Sequence, residues 1–422
     1  HEPTGKSTHQ PPLRAPSRAD CLRARRAGLM FRVQVKPEML RWARERAGLS
    51  IDAFEAKFPN IVKWESGDEQ PPFGQLEKLA KSTRLPFGYF FLQEPLREEY
   101  PIEHFRTVDD RVPAKLSIDL LDTIYLMQRR QAWMREHLVE QGHAPLDFVG
   151  SVGEEESPVT VAAKMRDALG IPFDWAQKHR TWEKALGALR EHMEDAGIFV
   201  VTNGVVGNNT RRVLRVEEFR GFVLVDEYAP FIFVNGVDGK SARMFTLAHE
   251  LAHVVYGHSA SFDFKDVHPA QHVSEQKCNQ AAAEFLVPEE WARQFWPKVK
   301  NSRRPYHAVG SRRKVSPLVV ARRLLDLQLI DKDEFFEFYE EVRTAERIWK
   351  EKQKERKEAG GDFYNTQNVR VGKPFAAAVV RAARSGRLTY TEAYRLTGLW
   401  GNTFEEYAER IGLGGEFSTI SG

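Results

Sequence analysis

Disulfides, bilayer spans and a strong net charge are all missing from this chain of 422 residues. It has two cysteines, Cys21 and Cys278. Cys21 lies in a stretch too poor in apolar residues to build a core. A structural disulfide is therefore not expected, and a reducing cytoplasm fits. No apolar run is long enough to cross a membrane. The piece 85-LPFGYFFL-92 is far too short and carries Pro and Gly. The formal net charge is only +3, so nothing global demands nucleic acid or an anionic surface, and any basic partner site has to be local. There is no internal repeat. What is present is an ordinary globular balance, 42% hydrophobic and 29% charged, with apolar material for several cores and a length suited to two to four domains.

Residues 1–29 are rich in Pro, Arg and Ser and lack the apolar centre of a secretory signal. They are expected to be disordered, a tag remnant or an overlong start, with Met30 as the first native residue. Folded material begins with 37-PEMLRWARERAGLSIDAFEAKF-58, read as two short helices. Pro37 sits at a helix start, Gly48 ends the first helix and Ser50 caps the second. With 64-WESGDEQPP-72 and the helical 73-FGQLEKLAKSTRL-85, this order resembles an XRE-type helix-turn-helix domain. One departure stands out. The space for the groove-reading helix is only 58-FPNIVKW-64, and Pro59 breaks its beginning, whereas reading a major groove takes roughly two exposed turns. DNA binding and a degenerate docking module both remain open for it.

Residues 117–142 have helical periodicity and read as a packing helix between domains. Helical patterns follow near 158–169 and 181–197. Then the period changes. The stretches 198-IFVVT-202, 219-FRGFVLV-225 and 231-FIFVN-235 are rich in β-branched and aromatic residues. The breakers 203-NGVVGNN-209 and 226-DEYAP-230 separate them, so a small antiparallel meander is expected. Its last strand has a polar edge where a substrate segment could add as a further strand, with Phe233 as the residue to test.

The chemistry sits in 245-FTLAHELAHVVYGH-258. His249 and His253 are four apart, which on a helix places them on one face a turn apart. Both imidazoles can then meet one ion. Glu250 is turned by about 100°, so its carboxylate reaches water held at the ion instead of the ion itself. Zinc takes imidazole nitrogen and keeps a water position in catalytic sites. The neighbours Phe245, Leu247, Ala248, Leu251, Ala252 and Val255 are apolar, and two histidines and a glutamate facing a core without a partner are costly. A metal accounts for them. The competing reading is a buried glutamate satisfied by polar neighbours.

A third ligand is needed. His258 has the wrong offset for the long motif H-E-x-x-H-x-x-G-x-x-H, since Tyr256 and Ser259 stand where Gly and His are required. His268 and His272 in the following loop are weaker candidates. In thermolysin-like (gluzincin) enzymes the third ligand is a Glu on a second helix, and four residues later an acid or amide orients one histidine. By that resemblance the ligand is Glu275, with Ser274 capping its helix, Asn279 as the orienting residue and Glu284 as the fallback ligand. The sequences R-x-F-T-L-A-H-E-L-A-H (Arg243 to His253), E-x-x-C-N-x-x-A-A-E-F-L-V-P (Glu275 to Pro288) and the upstream A-P-F-I-F-V-N (Ala229 to Asn235) resemble the ImmA/IrrE family of zinc metallopeptidases. The tail T-Y-T-E-A-Y-R-L-T-G-L resembles the C-terminal segment of members fused to an XRE-like domain.

The order of elements implies a mainly helical, multi-domain α+β protein. Its parts are an XRE-like domain at 30–96, a helical linker at 97–155 and a gluzincin-like domain with a small antiparallel sheet at 156–300. An HTH-like and charged helical region follows at 301–358, and a helical C-terminal segment at 359–422. The resemblance implies Zn2+ held by His249, His253 and Glu275, with Glu250 as catalytic base. The oxyanion-stabilising residue stays open among Tyr256, His258, His268 and His272. The implied function is cleavage of a regulatory protein, such as an XRE-type repressor or the product of a neighbouring gene, in a bacterial stress-response, mobile-element or toxin–antitoxin setting. The alternative is an XRE-like regulator or antitoxin that binds DNA and uses the zinc domain as a sensor or docking platform. No membrane partner is expected.

Overall fold

The computed structural model describes residues 32–96, 116–258, 260–262, 273–353 and 363–414. They fall into two compact units, 32–96 with 116–121, and the residues from Asp122 onward. The chain is mainly helical, with two small sheets.

The first unit packs α1 (Pro37–Arg46), α2 (Ile51–Glu55), α3 (Ile61–Ser66), α4 (Phe73–Thr83) and a 3-10 turn, Phe87–Phe91. The local signals act as chemistry dictates. Pro37 opens α1. The Ser50 hydroxyl accepts the amide of Ala53 at 3.3 Å. Gly67, at φ 86°, stops α3. Leu40, Phe54, Phe58, Ile61, Trp64 and Leu79 form the core. Arg44 clasps the buried Glu65 with two hydrogen bonds, 2.7 and 2.9 Å, a charge-assisted fork that fixes α1 against α3. The helix in the groove-reading position has six residues, about 9 Å of helix. Its Ile61, Trp64 and Glu65 are buried.

In the second unit α5 (Ile118–Glu140, counted here from Asp122) is followed by α6 (Pro158–Ala168), a 3-10 turn (Trp175–Lys178) and α7 (Trp182–Asp195). Ser157 and Thr181 cap α6 and α7. Next come β1 (Phe199–Asn203), β2 (Val205–Val206), β3 (Asn209–Val213), β4 (Gly221–Leu224) and β5 (Phe231–Asn235). The chain continues through α8 (Lys240–Tyr256), β6 (Ala260–Phe262), α9 (Val273–Leu286), α10 (Glu289–Val299), α11 (Pro305–Arg313), α12 (Pro317–Asp326) and α13 (Lys332–Gln353). Ser316 caps α12, accepting Val319 N–H at 3.1 Å.

The sheet corrects the expected antiparallel meander. Its order is β1-β5-β4-β6, and β1 runs parallel to β5. β4 and β5 form the antiparallel pair that their short connection permits. The chain between β1 and β4 includes the ribbon β2–β3, whose first strand lies in the stretch 203–209 taken as a breaker and whose second starts at its last residue. That excursion is long enough to return β1 to the far side of β5 as a parallel neighbour. Every residue of β5 is buried, as expected for a strand covered on both faces. The strand proposed as a docking edge is therefore interior, paired on both sides, and cannot accept an added strand.

The C-terminal segment closes this unit. α14 (Phe363–Gln367) runs through a π-type turn, Asn368–Gly372, into α15 (Lys373–Arg384), followed by α16 (Tyr390–Thr397) and α17 (Asn402–Ala408). The π-type turn packs against β1, where a Cβ on Gly372 would meet the Val200 carbonyl at 3.4 Å. Phe375 sets its ring edge-on to Phe199, Phe231 and Trp133. The buried Arg130 of α5 donates to the carbonyls of Leu396 and Arg370, at 2.8 and 3.0 Å. Glycines 386 and 398 follow α15 and α16 with positive φ, as helix C-termini favour.

Candidate metal centre

Two helices build the centre. α8 packs against β4 and β5, and α9 packs against α8. The start of α8 is fastened by polar groups just upstream. The Arg243 guanidinium donates to the carbonyls of Asp238 and Gly236, at 3.0 and 2.5 Å. Asn235 donates to the Phe219 carbonyl at 3.1 Å and accepts the Val237 amide at 3.0 Å. Arg220 pairs with Asp238 at 3.0 Å. The far end stops at Gly257, φ 84°, where a Cβ would come within 3.0 Å of Gly150 Cα. Segment 150–152 lies along that end, its amides donating to the Val254 and Val255 carbonyls. The helix is thereby fixed in rotation, which fixes the direction of its polar residues.

Those residues are His249, Glu250 and His253, all with 0% exposure. The two imidazoles meet at Nε2 to Nε2 3.0 Å. Glu275, in the first turn of α9, faces both. Its Oε2 is 3.1 Å from His249 Nε2 and its Oε1 3.3 Å from His253 Nε2. One donor atom from each residue lies within 4.8 Å of the other two. Burial pushes the Glu275 carboxyl up, but the hydrogen bonds and charges of His249 and His253 outweigh it and hold the group far below the usual carboxylate range. Glu250 goes the other way. Burial, and then the charge of Glu275, raise it well above an ordinary glutamate. Neither Glu250 oxygen has a hydrogen-bond partner among the described residues.

Two imidazole nitrogens and a carboxylate oxygen are the donor set of a catalytic zinc site with room left for water. A fourth group, buried and unsatisfied, lies alongside. The residues present fit zinc, and the orphaned oxygens of Glu250 fit a role toward water at that ion.

The other sequence-named residues are placed differently. His258 is half exposed and lies 3.8 Å from Glu154, outside the cluster. Tyr256 is 8% exposed, and burial pushes its hydroxyl up to about 12. His268 and His272 lie outside the described residues. Ser274 is the second residue of α9, two places past its cap position. Glu284 is not near the ions' donors but pairs with Arg323 and accepts the Glu289 amide at 3.0 Å. The Oδ1 of Asn279 is buried and accepts no hydrogen bond among the described residues. The contact to the outer nitrogen of His253 comes instead from Cys278, with Sγ 3.4 Å from Nδ1.

Two residues escaped the sequence reading. Cys278 is one, since nothing local marks a helical cysteine as the neighbour of a histidine on another helix. The other is Gly221 in β4. A Cβ there would meet Thr246 Cγ2 at 2.6 Å, Glu250 Oε1 at 2.9 Å and the Phe233 carbonyl at 2.9 Å. A glycine inside an otherwise apolar strand signals such a close approach.

Residues 193–325 match the family described as the IrrE N-terminal-like domain, a peptidase family. The match contains α8, α9 and every donor of the cluster. Residues 371–410 match a domain of unknown function, which spans α15 to α17. No curated protein matches the chain.

Proposed function

We propose that this protein is a zinc-dependent endopeptidase that cleaves a regulatory protein, such as an XRE-type repressor or the product of a neighbouring gene. In this reading His249, His253 and Glu275 hold the ion and Glu250 is the general base. One observation carries it: three donors converge in a buried cluster while a fully buried carboxylate beside them accepts no hydrogen bond among the described residues. The peptidase-family match over 193–325 supports the same class of activity.

When bound, zinc supplies a Lewis acid that polarises the scissile carbonyl and makes water a stronger acid. The protein does the rest. Glu250 takes the proton of the attacking water and returns it to the departing amine. Burial that raises the Glu250 carboxyl makes its ionised form a stronger proton acceptor than an exposed carboxylate. The apolar faces of α8 and α9 keep bulk water from the floor of the site, which strengthens each electrostatic contact there.

The second reading, a DNA-binding regulator, has less support. The helix in the groove-reading position is six residues long, with three of them buried. The first unit is better suited to holding a protein partner, and we assign it that role.

The test is metal analysis of the full chain together with cleavage assays on proteins encoded by adjacent genes, read by mass spectrometry. We expect one zinc per chain and a single cut in one substrate. Glu250→Gln should retain zinc and lower the cleavage rate by about 10²–10⁴, the range for a general base. Undiminished cleavage by Glu250→Gln, or a chain that binds no zinc, overturns the reading.

A further inference from the structure

An imidazole that offers Nε2 to a metal carries its proton on Nδ1, and the partner of that Nδ1–H decides the tautomer and the ring's orientation. In His253 the Nε2 atom faces His249 and Glu275. Its Nδ1 faces the sulfur of Cys278 at 3.4 Å. Cys278 is 1% exposed and lies on α9 three residues after Glu275, hence on the same side of that helix. The amide side chain expected to do this work belongs to Asn279, whose oxygen accepts nothing among the described residues.

We propose that Cys278 is a positioning residue of the centre: its sulfur accepts the Nδ1–H of His253 and so holds Nε2 toward His249 and Glu275. The inference rests on the reading of His253 as a metal donor. No bond is made or broken and no electron moves; the thiol keeps its proton while sulfur serves as acceptor. Helix α9 then contributes twice, with a donor at Glu275 and a brace for a donor on α8 one turn later. Both helices must be seated together before the site takes its shape. Sulfur is a weak acceptor, so the brace acts by direction and contact more than by strength. Serine shares the acceptor function with a shorter reach and should restore part of it.

The experiment uses the full chain, labelled with 15N in the histidine rings, as wild type, Cys278→Ala and Cys278→Ser. Long-range proton–nitrogen correlation of the metal-free proteins reads the His253 tautomer. Chelator competition reads zinc affinity, and the visible absorption of the cobalt-loaded proteins reads ligand geometry. Wild type should carry a proton on Nδ1, whether or not Nε2 also shares one with Glu275. Cys278→Ala should mix tautomers, weaken zinc about 10–100-fold and alter the cobalt spectrum. Cys278→Ser should fall between them.

A wild-type His253 with Nδ1 unprotonated overturns the proposal whether or not the alanine variant folds. So does a folded Cys278→Ala with unchanged tautomer and affinity; if both proteins then bind one zinc, the metal reading survives. If wild type binds no zinc yet the tautomer shifts in Cys278→Ala, the brace stands and the metal reading falls.

Discussion

Glu275 and Glu284 lie on the same helix, both largely buried, and they are treated in opposite ways. Glu284 is met by the fixed cation of Arg323 and by the Glu289 amide, and Arg323 also donates to the Val287 carbonyl at 3.1 Å. Nearby, the fully buried Arg313 donates to the Leu286 and Phe173 carbonyls. These are ties between α9, α10 and the α11–α12 hairpin, made by guanidinium groups on backbone carbonyls and one carboxylate. Glu275 is met by imidazoles that can exchange a proton for a metal, beside a second carboxylate, Glu250, whose oxygens have no hydrogen-bond partner among the described residues. A buried acid held by arginine and backbone fixes structure. A buried acid held by histidines and placed beside an unsatisfied acid is arranged for chemistry.

The strongest way to break that contrast is to remove each carboxylate in turn. Glu284→Ala leaves Arg323 buried without its anion and should cost about 3–5 kcal/mol of stability, read as a lowered denaturant midpoint. Zinc stoichiometry of the surviving folded protein should stay the same. Glu275→Ala should weaken zinc by more than about 100-fold, beyond the loss expected for an orienting group, and cost less metal-free stability than Glu284→Ala. If the two variants exchange these phenotypes, the assignment of roles along α9 is wrong.

A third buried acid sharpens the comparison. Glu194 of α7 lies 3.5 Å from Arg190, but Glu194 Oε1 and Arg190 Nε make no hydrogen bond to each other or to any described residue. Burial pushes its carboxyl up to about 7, with Arg190 offsetting only part. Unfolded, the group titrates near 4.5, so the folded chain holds the proton more tightly. The associated stability is fully present below about 4.5 and is lost as pH rises through about 7. The gap corresponds to at most about 3 kcal/mol. Glu194→Gln should flatten unfolding free energy between pH 5 and 8 relative to wild type, gaining most at the alkaline end. Equal slopes for both proteins count against a half-satisfied pair.

How much of this was readable from residues alone depends on distance along the chain. His249, Glu250 and His253 declare themselves because helical spacing is local, and so do the caps at Ser50 and Ser316. Glu275 lies on a separate helix, and only a resemblance to known metal-binding spacing singled it out. Cys278 carries no local sign, since its meaning comes from a histidine on another helix. The pairing of β1 with β5 was missed for a related reason. Alternation and β-branching announce a strand but not its neighbour, and the ribbon β2–β3 was hidden among Gly and Asn residues that read as breakers. Arg323 is chemically indistinguishable in sequence from Arg322 beside it. Only packing turns the first toward Glu284 and leaves the second paired with Asp326 at the surface.

The smallest expected effect probes the catalytic side of the contrast from beneath. Gly221 is the point where β4 comes closest to the Glu250 carboxylate, and a methyl group there has three obstacles. Two of them, the Phe233 carbonyl and the Thr246 methyl, belong to a sheet neighbour and to the packed face of α8. The third, Glu250 Oε1, is the end of a side chain with more freedom. Gly221→Ala should therefore cost about 1–3 kcal/mol for overpacking, with part of the strain relieved by turning Glu250 away. Zinc affinity should then change little, because none of the three nearest atoms that the methyl meets belongs to a donor residue, while the cleavage rate falls with KM unaltered. A variant that loses stability but cleaves at the wild-type rate would show that the strand yields instead of the carboxylate. Gly221 would then serve packing alone, on the side of the comparison where Glu284 stands.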